Sequence, residues 1–238
     1  ITDGVITDTS GLQLAANLDI DGTADISGDL TLSGGADGAL QFTNAGENSI
    51  KIPDNQASAL IIEEADNAYI TFVTTNSSEA ITVAKATTFS DDVTIADGKG
   101  VLLDSTPADD AYTGIYGTFA NATGSTITKG QVVYHTTTAN QVAPADATDE
   151  DKMPAFAIAI ADVANSASGN FLLYGFVHDS SAFVTLTIGG EVYVSDTAAG
   201  ALDATAPADD GEFVQIVGMG MHGDKMLFNP QYPMVEVA

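Results

Sequence analysis

Apolar and polar residues alternate in short runs along almost the whole chain, and Gly, Asp, Asn and Pro interrupt them. A period of two sends successive side chains to opposite faces of an extended strand, whereas a helix needs apolar residues three and four apart. Hardly any segment joins Ala, Leu, Glu, Lys or Arg over the roughly 10 residues a helix requires. The pattern predicts an all-β protein.

The first hundred residues have a rhythm of their own. In LDIDGTADISGDLTLSGG (residues 18–35) the apolar set is Leu18, Ile20, Ile26, Leu30 and Leu32, and Gly22, Gly28 and Gly34 fall at regular intervals. Each glycine supplies a turn without a Cβ penalty. Such strands bury no core alone, so over residues 12–40 they must stack or pair with another chain. DLTLSGG (29–35) is echoed by DVTIADG (92–98), with Ser27, Asp29 and Thr31 matching Ser90, Asp92 and Thr94. Between the two copies the pattern predicts strands over 49–55, 60–63, 69–74 and 80–84, with hairpin breaks at 65–67 and 76–78.

A composition shift divides the chain. STPADDAYTGIYG carries Pro107, the adjacent Asp109 and Asp110, and two glycines, with no clear period. It reads as a junction over 104–118, between a repetitive β shaft over 1–103 and a second domain over 119–238. There the strands are longer and more apolar: 131–135, 155–160, 170–177, 183–186, 191–195, 213–218 and 225–228. Seven or so strands at this spacing suggest a β-sandwich or small barrel, and the region is long enough to bury a core.

Charge and composition then exclude function classes. The chain has 33 acidic and 6 basic side chains, a net charge of −27. Such a surface repels phosphate backbones and anionic headgroups, which argues against nucleic-acid partners and membrane surfaces. The absence of Cys removes disulfides, thiol catalysis and Cys-zinc sites. The longest purely apolar run, residues 155–161, is far short of the roughly 20 residues of a membrane span. No signal-peptide pattern opens the chain, which starts at Ile1 rather than Met.

Candidate chemistry is sparse. His135, His178 and His222 are scattered, and a zinc site would need them to converge with a carboxylate or to meet their copies on an oligomer axis. The acidic loop Asp146, Asp149, Glu150 and Asp151 and the pairs Asp109–Asp110 and Asp209–Asp210 could supply calcium with oxygens, but no EF-hand loop or calcium β-roll repeat is present. No GxSxG elbow or P-loop lysine is found, and the lack of Trp weakens a glycan-cleaving role. Solvated turns and strand-end histidines are the plainer reading, so the expectation is no enzyme, no metal and no cofactor. Tyr112, Tyr116, Tyr174, Tyr193 and Tyr232 are candidates for a receptor surface, although core or inter-subunit packing explains most of them.

Residues 49–100, SIKIPDNQASALIIEEADNAYITFVTTNSSEAITVAKATTFSDDVTIADGKG, resemble the repeats of bacteriophage tail-fibre and related virion fibre proteins. The Gly-punctuated segment 18–35 is similar to fibre-shaft sequence. KGQVVYHTT (129–137), GGEVYVSDTAAGAL (189–202), FVQIVGMGM (213–221) and LFNPQ (227–231) resemble the small β domains of phage fibres and capsid decoration proteins. The resemblance implies a homotrimer on the virion surface, partnered by tail or capsid proteins and by a host receptor. The leading expectation is a trimeric tail fibre or spike mediating host attachment. A head fibre or decoration protein that cements the capsid comes second, a cellular surface-layer or adhesin protein third, and a capsule depolymerase last.

Overall fold

The computed structural model describes residues 45–46, 49–183 and 185–238. The shaft expected over residues 12–40, and the first copy of the echoed repeat, lie outside them. The chain forms two compact units, Ile1–Asp92 and Val93–Ala238. No α-helix occurs among the described residues, and the fold is all-β.

In the first unit three strands form an antiparallel meander in the order β1 (Leu60–Glu64), β2 (Asn67–Val73) and β3 (Ala80–Val83). Ala65 and Asp66, at φ 43° and 66°, make the two-residue turn between β1 and β2, the left-handed pair that matches strand twist. The strand expected over 49–55 does not form. That segment is held instead by turn bonds at the far end of β2: Thr74 N donates to Gln56 O (2.9 Å), and the Thr74 hydroxyl to Pro53 O (2.7 Å). Residues 92–98 also form no strand, because no described segment pairs with them.

The second unit carries β4 (Ala111–Asn121), β5 (Val132–His135), β6 (Gln141–Pro144), β7 (Ala155–Ala159), β8 (Ser168–His178), β9 (Glu191–Val194), β10 (Leu202–Asp203), β11 (Phe213–Val214), β12 (Ile216–His222), β13 (Lys225–Phe228) and β14 (Val235–Glu236). The main sheet runs β10-β9-β12-β13-β8-β4-β6-β5-β7, and β7 pairs back onto β8. Strands β8, β4, β6, β5 and β7 thus close into a small five-stranded barrel, and β13, β12, β9 and β10 extend from it as a wing. All ladders of this sheet are antiparallel except β4–β6.

Alternation along the barrel strands fills two separate cores. Val132 and Ile158 enter one, with Leu172, Val177, Val192, Val217, Met226 and Phe228. Their neighbours Val133, Ala157 and Ala159 enter the other, with Ile127, Val142, Val163 and Phe171. Gln215 lies between β11 and β12 and is fully buried. It accepts from Ala155 N (2.8 Å) and donates to Ala155 O and Gln231 O (both 2.7 Å), so a polar side chain ties three segments inside an apolar core.

Two sequence expectations are corrected here. Residues 111–118, read as part of a junction, belong to β4, which pairs along nearly its whole length with β8. Gly114 faces Gly175 across that ladder, and a Cβ on Gly114 would lie 2.0 Å from the Tyr174 carbonyl oxygen. The glycines that break the apolar rhythm are what let the two backbones close. Among 183–186, the described residues form no strand, and Leu186 N is instead bonded to Gly223 O (2.9 Å).

Candidate functional site

The residues singled out for chemistry are largely spoken for by local bonds. His135 sits beside Phe119 and Phe156, with ring centroids 6.3 and 6.0 Å away, and its Nδ1 donates to Thr136 O (2.8 Å). His178, at the end of β8, and His222, at the end of β12, do converge, on Asp224 in the β12–β13 turn. His222 Nδ1 lies 2.7 Å from one carboxylate oxygen, and His178 Nε2 lies 3.3 Å from the other and 3.6 Å from Asp109. His178 Nδ1 meets Pro107 O at 2.8 Å, so both ring nitrogens face acceptors. The His222 hydrogen bond, opposed by burial and helped by His178, holds the Asp224 carboxyl below the usual range. The cluster pins the chain ahead of β4 to the ends of β8 and β12 by hydrogen bonds. Among the described residues no group of three or more His, Asp or Glu side chains is arranged to hold a metal.

The acidic loop is held by its own turn and by one lysine. Asp146 accepts from Thr148 N (3.1 Å) and Oγ1 (2.7 Å), Asp149 accepts from Asp151 N (3.1 Å), and Lys152 Nζ reaches Asp149 (3.0 Å) and Asp146 (3.4 Å). Glu150 lies with Asp151 in the short turn that Asp149 caps. Asp109 accepts from Ser180 N (3.0 Å) and Oγ (2.8 Å), and Asp110 pairs with Lys129. The Asp209–Asp210 turn is exposed, and Glu212 accepts from Asp209 N (2.9 Å).

The tyrosines divide. Tyr112 donates to the buried Asp179 (2.9 Å) beneath the Lys129 ammonium, 4.9 Å from its ring centroid. Burial, and then the Asp179 charge, push its hydroxyl far above the usual range. Burial works against the charge on Asp179, yet bonds from Ser181 and Tyr112 hold it low. Tyr116 bonds to Tyr112 O, and Tyr193 to Glu191, while Tyr174 and Tyr232 are exposed. The structure therefore draws these five into no single surface.

Among the described residues, one sheet face of the meander gathers apolar side chains that belong to neither core. In the meander, Leu60 and Ile62 pair with Phe72 and Ile70, which pair in turn with Ile81 and Val83. Directly paired residues share a face, so six large apolar side chains form a two-by-three grid on one side of the sheet. The other side carries Ile61, Thr71 and Thr82 in one row. No described residue from 45 to 92 is buried. Ile62 is 52% exposed, Ile81 65% and Val83 50%. Charged groups stay at the rim, on Glu63, Glu64, Asp66 and Glu79. The alternation that foretold the strands contained this face, but only the pairing register shows that the six side chains stand together.

No helix among the described residues is long and apolar enough to cross a membrane. Compared with family models, with curated proteins and with solved structures, the chain matches none.

Proposed function

We propose that the protein is a structural component of a bacteriophage particle, a homotrimeric tail fibre or spike that projects from the virion and mediates host attachment. Its work is mechanical and adhesive rather than catalytic. The observation that carries the reading is the apolar grid of β1–β3, half exposed or more at Ile62, Ile81 and Val83. An apolar sheet face contributes its full stabilisation only once it is removed from water, and an exposed patch of several hundred Å² marks an association surface. Identical copies closing around an axis cover one another with the same face, which a homotrimer does in a single closed ring. The second unit, with its own two cores, supports the division into an assembling segment and a self-sufficient head. Sedimentation equilibrium of the purified full chain tests the proposal: the expected mass is three times that of the chain. A stable monomer at micromolar concentration overturns it. Electron microscopy of the intact assembly then tells a projecting fibre from a capsid-bound protein.

A further inference from the structure

The stretch of chain that leads into β4 is anchored at one buried residue. Ser105, Thr106, Ala108 and Asp109 are exposed, and Pro107 among them is buried. The Pro107 carbonyl accepts a hydrogen bond from His178 Nδ1 at 2.8 Å. Across the ring, Nε2 faces two carboxylates, Asp224 at 3.3 Å and Asp109 at 3.6 Å. The His178 side chain is 13% exposed, which leaves water little access to replace either contact.

An imidazole satisfies all of these oxygens in only one state. Carbonyl and carboxylate oxygens accept and do not donate, and a neutral ring has one N–H and one lone pair where the imidazolium has two N–H groups. With a single proton on the ring, either Pro107 or the carboxylate pair faces a lone pair. Carboxylates bind the remaining N–H more strongly than a carbonyl does, so the contact to Pro107 is the one lost. Histidine is the side chain that exchanges its proton between about pH 5 and pH 8. Asp109 and Asp224 stay ionised throughout that range, since hydrogen bonds from Ser180 and from His222 hold them below the usual carboxylate range.

The charges around the ring come from every element packed against it. The β12–β13 turn brings Asp224, which also bonds to His222 at 2.7 Å. Strand β13 brings Lys225, paired with His178, and β4 brings the uncharged Ala111. Asp179, next along the chain, is taken up by Tyr112 and Ser181, and Asp110 by Lys129. Asp109 keeps its bonds from Ser180 N and Oγ whatever the state of the ring. The part that depends on the proton is therefore the chain up to Pro107.

We propose that His178 is a proton-operated latch: the imidazolium fastens the chain ahead of β4 through Pro107, and loss of the proton frees the stretch before Asp109 while the barrel stays folded. The latch needs no second copy, so it stands apart from the self-association proposed above. The chain has no Cys, so Ser105→Cys, at an exposed site two residues ahead of Pro107, carries a single nitroxide label in the full chain. Electron paramagnetic resonance then gives the ratio of immobilised to mobile label. One hydrogen bond to a charged group changes such a ratio by roughly tenfold or more, so the ratio is expected to be higher by that factor at pH 5.5 than at pH 8. In His178→Gln, whose amide does not titrate, it is expected to be the same at both pH values, and in His222→Gln the pH dependence is expected to remain. Nitrogen-15 spectra of the unsubstituted chain read the ring itself: both nitrogens of His178 are expected to carry protons at pH 5.5 and one at pH 8. A ratio that changes less than twofold overturns the latch. So does a pH dependence that survives His178→Gln or vanishes in His222→Gln, or a His178 ring with a single proton at pH 5.5.

Discussion

Ile81→Asp is the sharpest probe of the β1–β3 face. Ile81 sits on the edge strand β3, paired to Phe72, with 65% of its surface exposed. Fully burying an isoleucine is worth about 1.5–3 kcal/mol, so about 1–2 kcal/mol per copy remains to be gained when a partner covers it. In a trimer the site occurs three times, giving about 3–6 kcal/mol in total, and at 1.4 kcal/mol per decade this is about 10²–10⁴ in the association constant. The aspartate adds three converging like charges, each costing several kcal/mol to desolvate. The variant chain is therefore expected to sediment as a monomer up to tens of micromolar. The control is Thr82→Asp, one residue along the same strand and thus on the opposite face. It adds the same charge but is expected to leave the mass unchanged. If both variants dissociate, the effect is net charge and not a face. If neither does, the grid is not the interface and the reasoning fails. Thermal unfolding of the barrel unit, which shares no strand with the meander, is expected to be the same in both variants.

Three further outcomes check the barrel unit. Gly114→Ala places a Cβ 2.0 Å from a backbone oxygen that no rotamer moves; a loss of about 3 kcal/mol or more is expected in chemical denaturation. Gln215→Leu leaves Ala155 N–H, Ala155 C=O and Gln231 C=O without partners in the core; at about 1–3 kcal/mol per buried unpaired group, a loss on the order of 3 kcal/mol is expected. Asp109, Asp146, Asp179 and Asp224 are all held below the usual carboxylate range by hydrogen bonds, Asp146 also by Lys152. A depressed group contributes fully above its unfolded value near pH 4 and loses that contribution as pH falls through its folded value. The melting temperature is therefore expected to fall below about pH 4, less steeply in Asp179→Asn; a melting temperature flat from pH 7 to pH 2 refutes this.

Local alternation was enough to find the strands whose own residues carry the signal. Residues 225–228 were expected and form β13, and 60–63 and 80–84 miss β1 and β3 by one residue each. The failures share a physical cause, which is that the deciding partner is distant in sequence. Gly114 and Gly117 erase the apolar rhythm of β4, and only the opposing Gly175 explains them. Gln141–Pro144 becomes a strand because it pairs with β4 and β5, although it ends in a proline. The run expected over 213–218 is split at Gln215, whose side chain turns inward to Ala155. Barrel closure rests on two pairs between β7 and β8, Ile158 with Leu172 and Ala159 with Phe171, and no local pattern announces that contact. The meeting of His178 and His222 on Asp224 is equally silent, since it depends on where two strands end.

The placement of apolar side chains gives the two units different roles. Every buried hydrophobic side chain among the described residues lies between Ile127 and Phe228, and none lies in the meander. The barrel unit therefore owns the burial that opposes its chain entropy. Among the described residues the meander has the hydrogen bonds of three short strands and an apolar face still partly exposed, and it gains stability when that face is covered. Its order is then tied to assembly by mass action, because a partner that binds only the ordered sheet stabilises it in proportion to concentration. A net charge of −27 opposes that association everywhere except where carboxylates are missing, and the paired rows of the grid lack them. Sequence chemistry thus selects where like-charged copies can touch: on a neutral sheet face, formed from strands that gain stability from a neighbour.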